Sequence, residues 1–118
     1  MKIYCISIYD ENYDFFKSNS LIPVGIGGGK FNNKWLNDKG KENISSKNAN
    51  FGEYTFHYNL WKNKLLDNNS NWIGFCTYRR FWSNKNFESS NFYEKVLKKI
   101  PEEWEKYDVI LADKIDLT

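Results

Sequence analysis

Residues 2–9, Lys2-Ile3-Tyr4-Cys5-Ile6-Ser7-Ile8-Tyr9, carry apolar side chains on both faces of an extended chain. Successive strand residues point to opposite sides, so a strand apolar on both sides has to be covered on both. Strands of this kind belong to parallel sheets packed between helices. Leu21–Ile26, Trp72–Tyr78 and Tyr107–Ala112 read as three further strands. Pro23 places the second of them near a sheet edge or at its own start, because proline cannot donate to a ladder.

Helical patterning fills the intervals. A short helix is expected near Tyr13–Lys17. Phe51, Tyr54, Tyr58, Trp61 and Leu65 recur at three- and four-residue steps, predicting one helix of roughly four turns with this stripe on the sheet. Asn50 and Glu53 have capping-box spacing, with Asn48 as an alternative cap, and Asp67-Asn68-Asn69-Ser70 ends the helix. After a polar turn at Ser83–Asn86, Asn91 and Glu94 repeat the capping spacing before a helix over 91–99. Pro101 opens another over Glu102–Lys106. Gly27-Gly28-Gly29 leads into a polar stretch reaching about Ser46, read as a loop of the length that is usually functional or mobile. The order is strand, strand, loop, helix, strand, helix, strand, without internal repeat or linker. It predicts a single α/β domain over residues 1–118, a mainly parallel sheet flanked by helices. The chain stops just after a strand-like run, which suggests an interrupted domain.

Composition narrows the function classes. Aromatics are 19% of the chain, a core-forming load that excludes global disorder. A net charge of +2, with no run of five or more Lys/Arg, argues against a nucleic-acid partner. Cys5 and Cys76 fall inside strands and read as buried, reduced thiols. The N-terminus lacks a signal-peptide pattern, and no apolar stretch approaches the roughly 20 residues of a membrane helix. The expected compartment is cytoplasmic, with peripheral membrane association left open.

Charge of a particular kind marks one place. The only two arginines among 17 cationic side chains, Arg79 and Arg80, are adjacent and directly follow the strand Trp72–Tyr78. A guanidinium is a planar fork that grips phosphate or carboxylate through two parallel hydrogen bonds, which an ammonium cannot do. Open α/β sheets place ligands where strands end. The alternative is that one arginine packs along the strand edge and the other makes a structural salt bridge. Other motifs are weaker. The triple glycine lacks the Gly-Lys-Ser/Thr of a P-loop and the spacing of a dinucleotide fingerprint. His57, the only histidine, stands one turn after Glu53, too small a set for a metal site, and a structural role is expected. Asp113 and Asp116 have two residues between them, not the one of Asp-x-Asp, so no metal or other cofactor is indicated.

Two stretches together resemble a bacterial family of capsular and exopolysaccharide biosynthesis proteins. The first is Asn43-Ile44-Ser45-Ser46-Lys47-Asn48-Ala49-Asn50-Phe51-Gly52-Glu53, continuing through Thr55, Tyr58 and Trp61-Lys62-Asn63. The second is Gly74-Phe75-Cys76-Thr77-Tyr78-Arg79-Arg80-Phe81-Trp82. Thr77 stands where that family has a histidine, and Ala49 and Gly52 stand for its proline and cysteine. Family members run to over twice this length, so the resemblance implies that the chain is an N-terminal half. The resemblance implies a GT-A-like, Rossmann-like fold, present in part. It also implies a nucleotide-sugar glycosyltransferase of surface-polysaccharide assembly. The donor would be a nucleoside-diphosphate sugar and the acceptor a saccharide or lipid-linked hydroxyl. Arg79 and Arg80 would bind diphosphate without a metal, beside Tyr78, while Asn48, Asn50 and Glu53 shape the site; the catalytic residue is unassigned. A truncated module that binds a nucleotide sugar or a protein partner without turnover is the alternative.

Overall fold

The computed structural model describes residues 1–66, 72–83 and 91–114. The expected helix end at Asp67–Ser70, most of the polar turn at Ser83–Asn86, and Asp116 lie outside them.

Three strands form the sheet: β1 (Lys2–Ser7), β2 (Ile22–Gly25) and β3 (Ile73–Thr77). The order is β2-β1-β3 and both pairings are parallel, with Cys5 opposite Pro23 on one side and Cys76 on the other. The strand apolar on both faces therefore takes the centre. Its alternation sends Ile3 and Cys5 into one core, with Phe16, Leu21, Trp35 and Cys76. Tyr4 and Ile6 enter the other, with Val24, Phe56 and Leu60. Phe16 comes from α1 (Tyr13–Ser18), and Phe56 and Leu60 from α3 (Tyr54–Lys62), so helices cover both faces. Full burial of each such side chain contributes about 1.5–3 kcal/mol. The fold is α/β, a parallel sheet between helices, as expected.

Several local expectations are corrected. The single helix after Asn48 is two: α2 (Asn48–Phe51) and α3, broken at Gly52. Gly52 has φ 55° and ψ −133°, which side chains with a Cβ rarely adopt. The break resets the helical phase, so the expected stripe does not face the sheet. Phe51, Tyr54, Trp61 and Leu65 are exposed, while Thr55, Phe56, Asn59 and Leu60 are buried. Two of those four are polar, which hid the true face from an apolar pattern. Asn59 has inward partners: its Oδ1 accepts from Gly40 N at 2.8 Å, and its Nδ2 donates to Asn37 O at 3.3 Å. Neither α2 nor α3 has a side-chain N-cap hydrogen bond, so the Asn50/Glu53 capping box does not form.

The polar stretch after Gly29 is not a free loop. Trp35 enters the core beside Phe16 and Phe31. Leu36 pairs along the outer edge of β2, where Gly25 N donates to Leu36 O at 2.8 Å and Leu36 N to Pro23 O at 3.1 Å. Pro23 does sit on a flanking strand, and its missing N–H costs no ladder bond there. The helix α4 (Phe92–Lys95) is capped by Asn91, whose Oδ1 accepts from Tyr93 N at 3.0 Å, but it ends before residue 99. Buried Val96 and Leu97 take an extended path instead, and Leu97 N donates to Trp82 O at 2.8 Å. The helix after Pro101 is a single 3-10 turn, Glu102–Trp104. Tyr107–Ala112 forms no strand among the described residues, and Tyr107, Val109 and Leu111 are exposed. Strand propensity becomes a strand only against a hydrogen-bonding edge, and this segment has joined none.

Candidate functional site

Strand β1 pairs with β2 on one side and β3 on the other, with α1 between β1 and β2 covering one face and α3 between β2 and β3 covering the other. In doubly wound sheets this switch point opens a crevice beyond the carboxyl ends of the strands. A crevice of about 470 Å³ lies there, lined by Ser7 and Ile8 at the end of β1, Ile26 after β2, Thr77–Arg80 at the end of β3, and Asn48, Gly52 and Glu53 from the α2–α3 junction. This volume falls in the range of small-molecule sites.

Local structure aims the arginines. Tyr78 N donates to Ile6 O at 2.9 Å, carrying the β1–β3 pairing one residue past the strand. The chain then turns back on itself. Arg80 N donates to Thr77 O at 3.1 Å and Thr77 N to Arg80 O at 3.3 Å, a tight turn with Tyr78 and Arg79 at its tip. Both guanidiniums are exposed, and the Arg79 guanidinium carbon stacks 5.2 Å from the Tyr78 ring centroid. Tyr78 is held edge-on by Tyr9, with centroids 5.3 Å apart. Among the described residues neither arginine is in an ion pair, so the structural salt bridge that was the alternative reading does not occur there. The crevice sets two cations, unpaired among the described residues, against one exposed carboxylate, Glu53, a balance that favours an anionic ligand.

Of the six residues expected to line a site, Tyr78, Arg79, Arg80, Asn48 and Glu53 meet here, although Asn48 and Arg80 are far apart in sequence. Asn50 does not: it is exposed on α2, away from the lining. Sequence reasoning missed Ser7, Ile8, Gly52 and Thr77. Their common signal is position at a strand end or a helix break. Ser7 acts as a brace, since its hydroxyl accepts from Tyr9 N at 2.9 Å and Asn12 Nδ2 at 2.8 Å and donates to Tyr9 O at 2.9 Å. The triple glycine borders the crevice without entering it. Gly27, at φ 79°, turns the chain beside Asn48.

His57 is packed outside this lining. Its ring lies on Phe75 with centroids 4.4 Å apart, and burial lowers its pKa from the ordinary 6.5, partly opposed by the Glu53 charge. That is the structural role expected of it. Among the described residues no group of three or more His, Cys, Asp and Glu side chains could hold a metal. No helix of the described residues is long and apolar enough to cross a membrane. A second cavity, of about 300 Å³, lies at the opposite end of β1 and β3. It is lined by Met1, Ile3, Trp72, Trp82 and Trp104 among others, mostly apolar residues, with Asp108 its one ionisable side chain.

The sequence model of a protein family described as Domain of unknown function (DUF4422) matches residues 2–118. No curated protein matches the chain, and no solved structure does.

Proposed function

The chain belongs to the DUF4422 family, and we propose that it is a nucleotide-sugar-dependent glycosyltransferase-like protein of surface-polysaccharide biosynthesis. One observation carries the reading. The two stretches that resemble capsular and exopolysaccharide biosynthesis proteins, separate in sequence, border the same crevice: one contributes Asn48, Gly52 and Glu53, the other Thr77 to Arg80. Arg79 and Arg80 grip the donor diphosphate and stabilise the charge that develops on it as the glycosyl bond breaks, the task a metal performs in other transferases. Tyr78, stacked under Arg79, holds that guanidinium in orientation. The acceptor is a saccharide or lipid-linked hydroxyl, and work on lipid-linked acceptors takes place at the inner membrane surface.

A second reading, a module that binds a nucleotide sugar without turnover, is favoured by one feature. The residue before Tyr78 is Thr77, so the crevice lining holds no imidazole, and its carboxylate is the exposed Glu53.

Titration calorimetry with uridine and guanosine diphosphates tests the shared premise. Binding is expected without added metal and unchanged by chelator. Arg79→Lys and Arg80→Lys keep the charge but lose the fork, and each should cost about 1.5–3 kcal/mol. Equal affinity in the lysine variants would remove the arginines from the ligand. Affinity abolished by chelator would replace them with a metal site.

A further inference from the structure

Asn48 lines the crevice with its donor and acceptor already sorted. Its Nδ2 donates to Gly52 O at 3.0 Å and to Thr55 Oγ1 at 3.3 Å. A carbonyl can only accept, so a flipped amide would set Oδ1 against Gly52 O. The amide oxygen is left toward the Gly27 turn, where an added Cβ on Gly27 would come within 3.4 Å of it.

The sorting continues inward. Thr55 is fully buried, and its hydroxyl donates to Asp38 Oδ2 at 2.6 Å. A hydroxyl has one proton. Spent on Asp38, it leaves the Thr55 lone pairs for Asn48. Gly52 O, 3.1 Å away, is the other acceptor within reach, but the carboxylate oxygen is closer and carries charge. Asp38 is itself 1% exposed, and its Oδ1 has no hydrogen-bond partner among the described residues. An unpaired polar atom at that depth is destabilising. The other carboxylate oxygen, Oδ2, is the acceptor that fixes the Thr55 hydroxyl.

We propose that Asp38 and Thr55 are positioning residues that lock Asn48 with its carbonyl oxygen toward the Gly27 turn at the border of the crevice, where it accepts a hydrogen bond from a hydroxyl of the bound ligand. The choice of ligand rests on the nucleotide-sugar reading above; the lock itself does not. The hydroxyl belongs either to the ribose or to the transferred sugar.

Two measurements separate these points. The first is hydrogen exchange of the Asn48 side-chain amide in 15N spectra. It should be slow in the wild type, fast in Thr55→Val, and slow again in Thr55→Ser, which restores the hydroxyl. A wild-type amide that exchanges as freely as those of exposed asparagines, or one unmoved by Thr55→Val, overturns the lock. The second is affinity for uridine diphosphate, its 2′-deoxyribose analogue and uridine-diphosphate glucose. Thr55→Val should weaken binding roughly three- to tenfold, the range for one neutral hydrogen bond. A loss for uridine diphosphate but not for its deoxy analogue assigns the ribose hydroxyl. A loss confined to the glucose compound assigns the sugar. Asn48→Ala, at a half-buried position, should reproduce whichever loss is seen, and keeps the test open if Thr55→Val does not fold. Unchanged affinity for all three ligands in Asn48→Ala overturns the ligand contact. If the wild type binds none of them, the nucleotide-sugar reading fails on its own, and amide exchange alone decides the lock.

Discussion

Replacing Phe56 and Trp61 by alanine, one at a time, tests which face of α3 meets the sheet. Both are large aromatics on the same nine-residue helix, yet the structure gives them opposite surroundings. Phe56 is 1% exposed, packed 5.5 Å from the Tyr4 ring within the core that joins α3 to β1 and β2. Its removal forfeits transfer free energy and leaves a cavity that the strands cannot close, a loss of about 3–5 kcal/mol. Trp61 is 67% exposed, touching the Tyr58 ring at 5.7 Å and the Lys62 ammonium at 5.5 Å. Those contacts are solvated, and their loss should cost under about 1 kcal/mol. A domain of 118 residues has about 6–18 kcal/mol in total, so the two variants differ by a large share of it. Urea melts followed by circular dichroism read the difference as a shift in midpoint at unchanged slope. Phe56→Leu offers a milder loss, still larger than that of Trp61→Ala, should the alanine variant not fold. A Trp61→Ala loss equal to or above that of Phe56→Ala would reverse the phase of α3 and refute the packing.

Two other outcomes follow from buried groups. Burial lowers the His57 pKa below the ordinary 6.5, so the unfolded chain takes up a proton that the native protein resists. Stability should fall as pH drops below about 6.5, and His57→Phe, which keeps a ring on Phe75, should flatten that slope in melting temperatures taken from about pH 7.5 to about pH 5.5. An unchanged slope in the variant would place the titration elsewhere. Cys5 and Cys76 are both buried, and contact with Cys76, then burial, push the Cys5 thiol above its ordinary range. A disulfide-exchange reagent should therefore label neither thiol in the native protein and both in denaturant. Rapid native labelling would contradict the central position of β1.

The sheet and the site were legible in the sequence to different depths. The centre of the sheet was read from residues 2–9, because a strand apolar on both faces has few other places to go. The cap at Asn91 was likewise local, one side chain answering one backbone donor two residues on. The helix phase was misread because Gly52 interrupts it and because Thr55 and Asn59 face inward as polar residues, each with partners far away in sequence. Trp35 was hidden in a polar stretch whose bridge to Val24 no local pattern announces.

The sequence by itself determined the class of fold, the apolar strand that takes the centre, the two thiols within the strands and the unusual concentration of guanidinium at Arg79-Arg80. These depend on residue type and on neighbours a few positions away, where period and side-chain chemistry suffice. Tertiary structure decided which residues meet. It turned Thr77–Arg80 back at the end of β3, set Asn48 and Glu53 across from it, left Asn50 outside, and buried Asp38 behind Thr55. The physical reason is that a crevice at a switch point is made of strand ends brought side by side by parallel pairing, and pairing is a relation between distant segments. The same reason left Tyr107–Ala112 without a strand partner among the described residues despite its strand-like sequence, because an edge has to be met before propensity becomes structure.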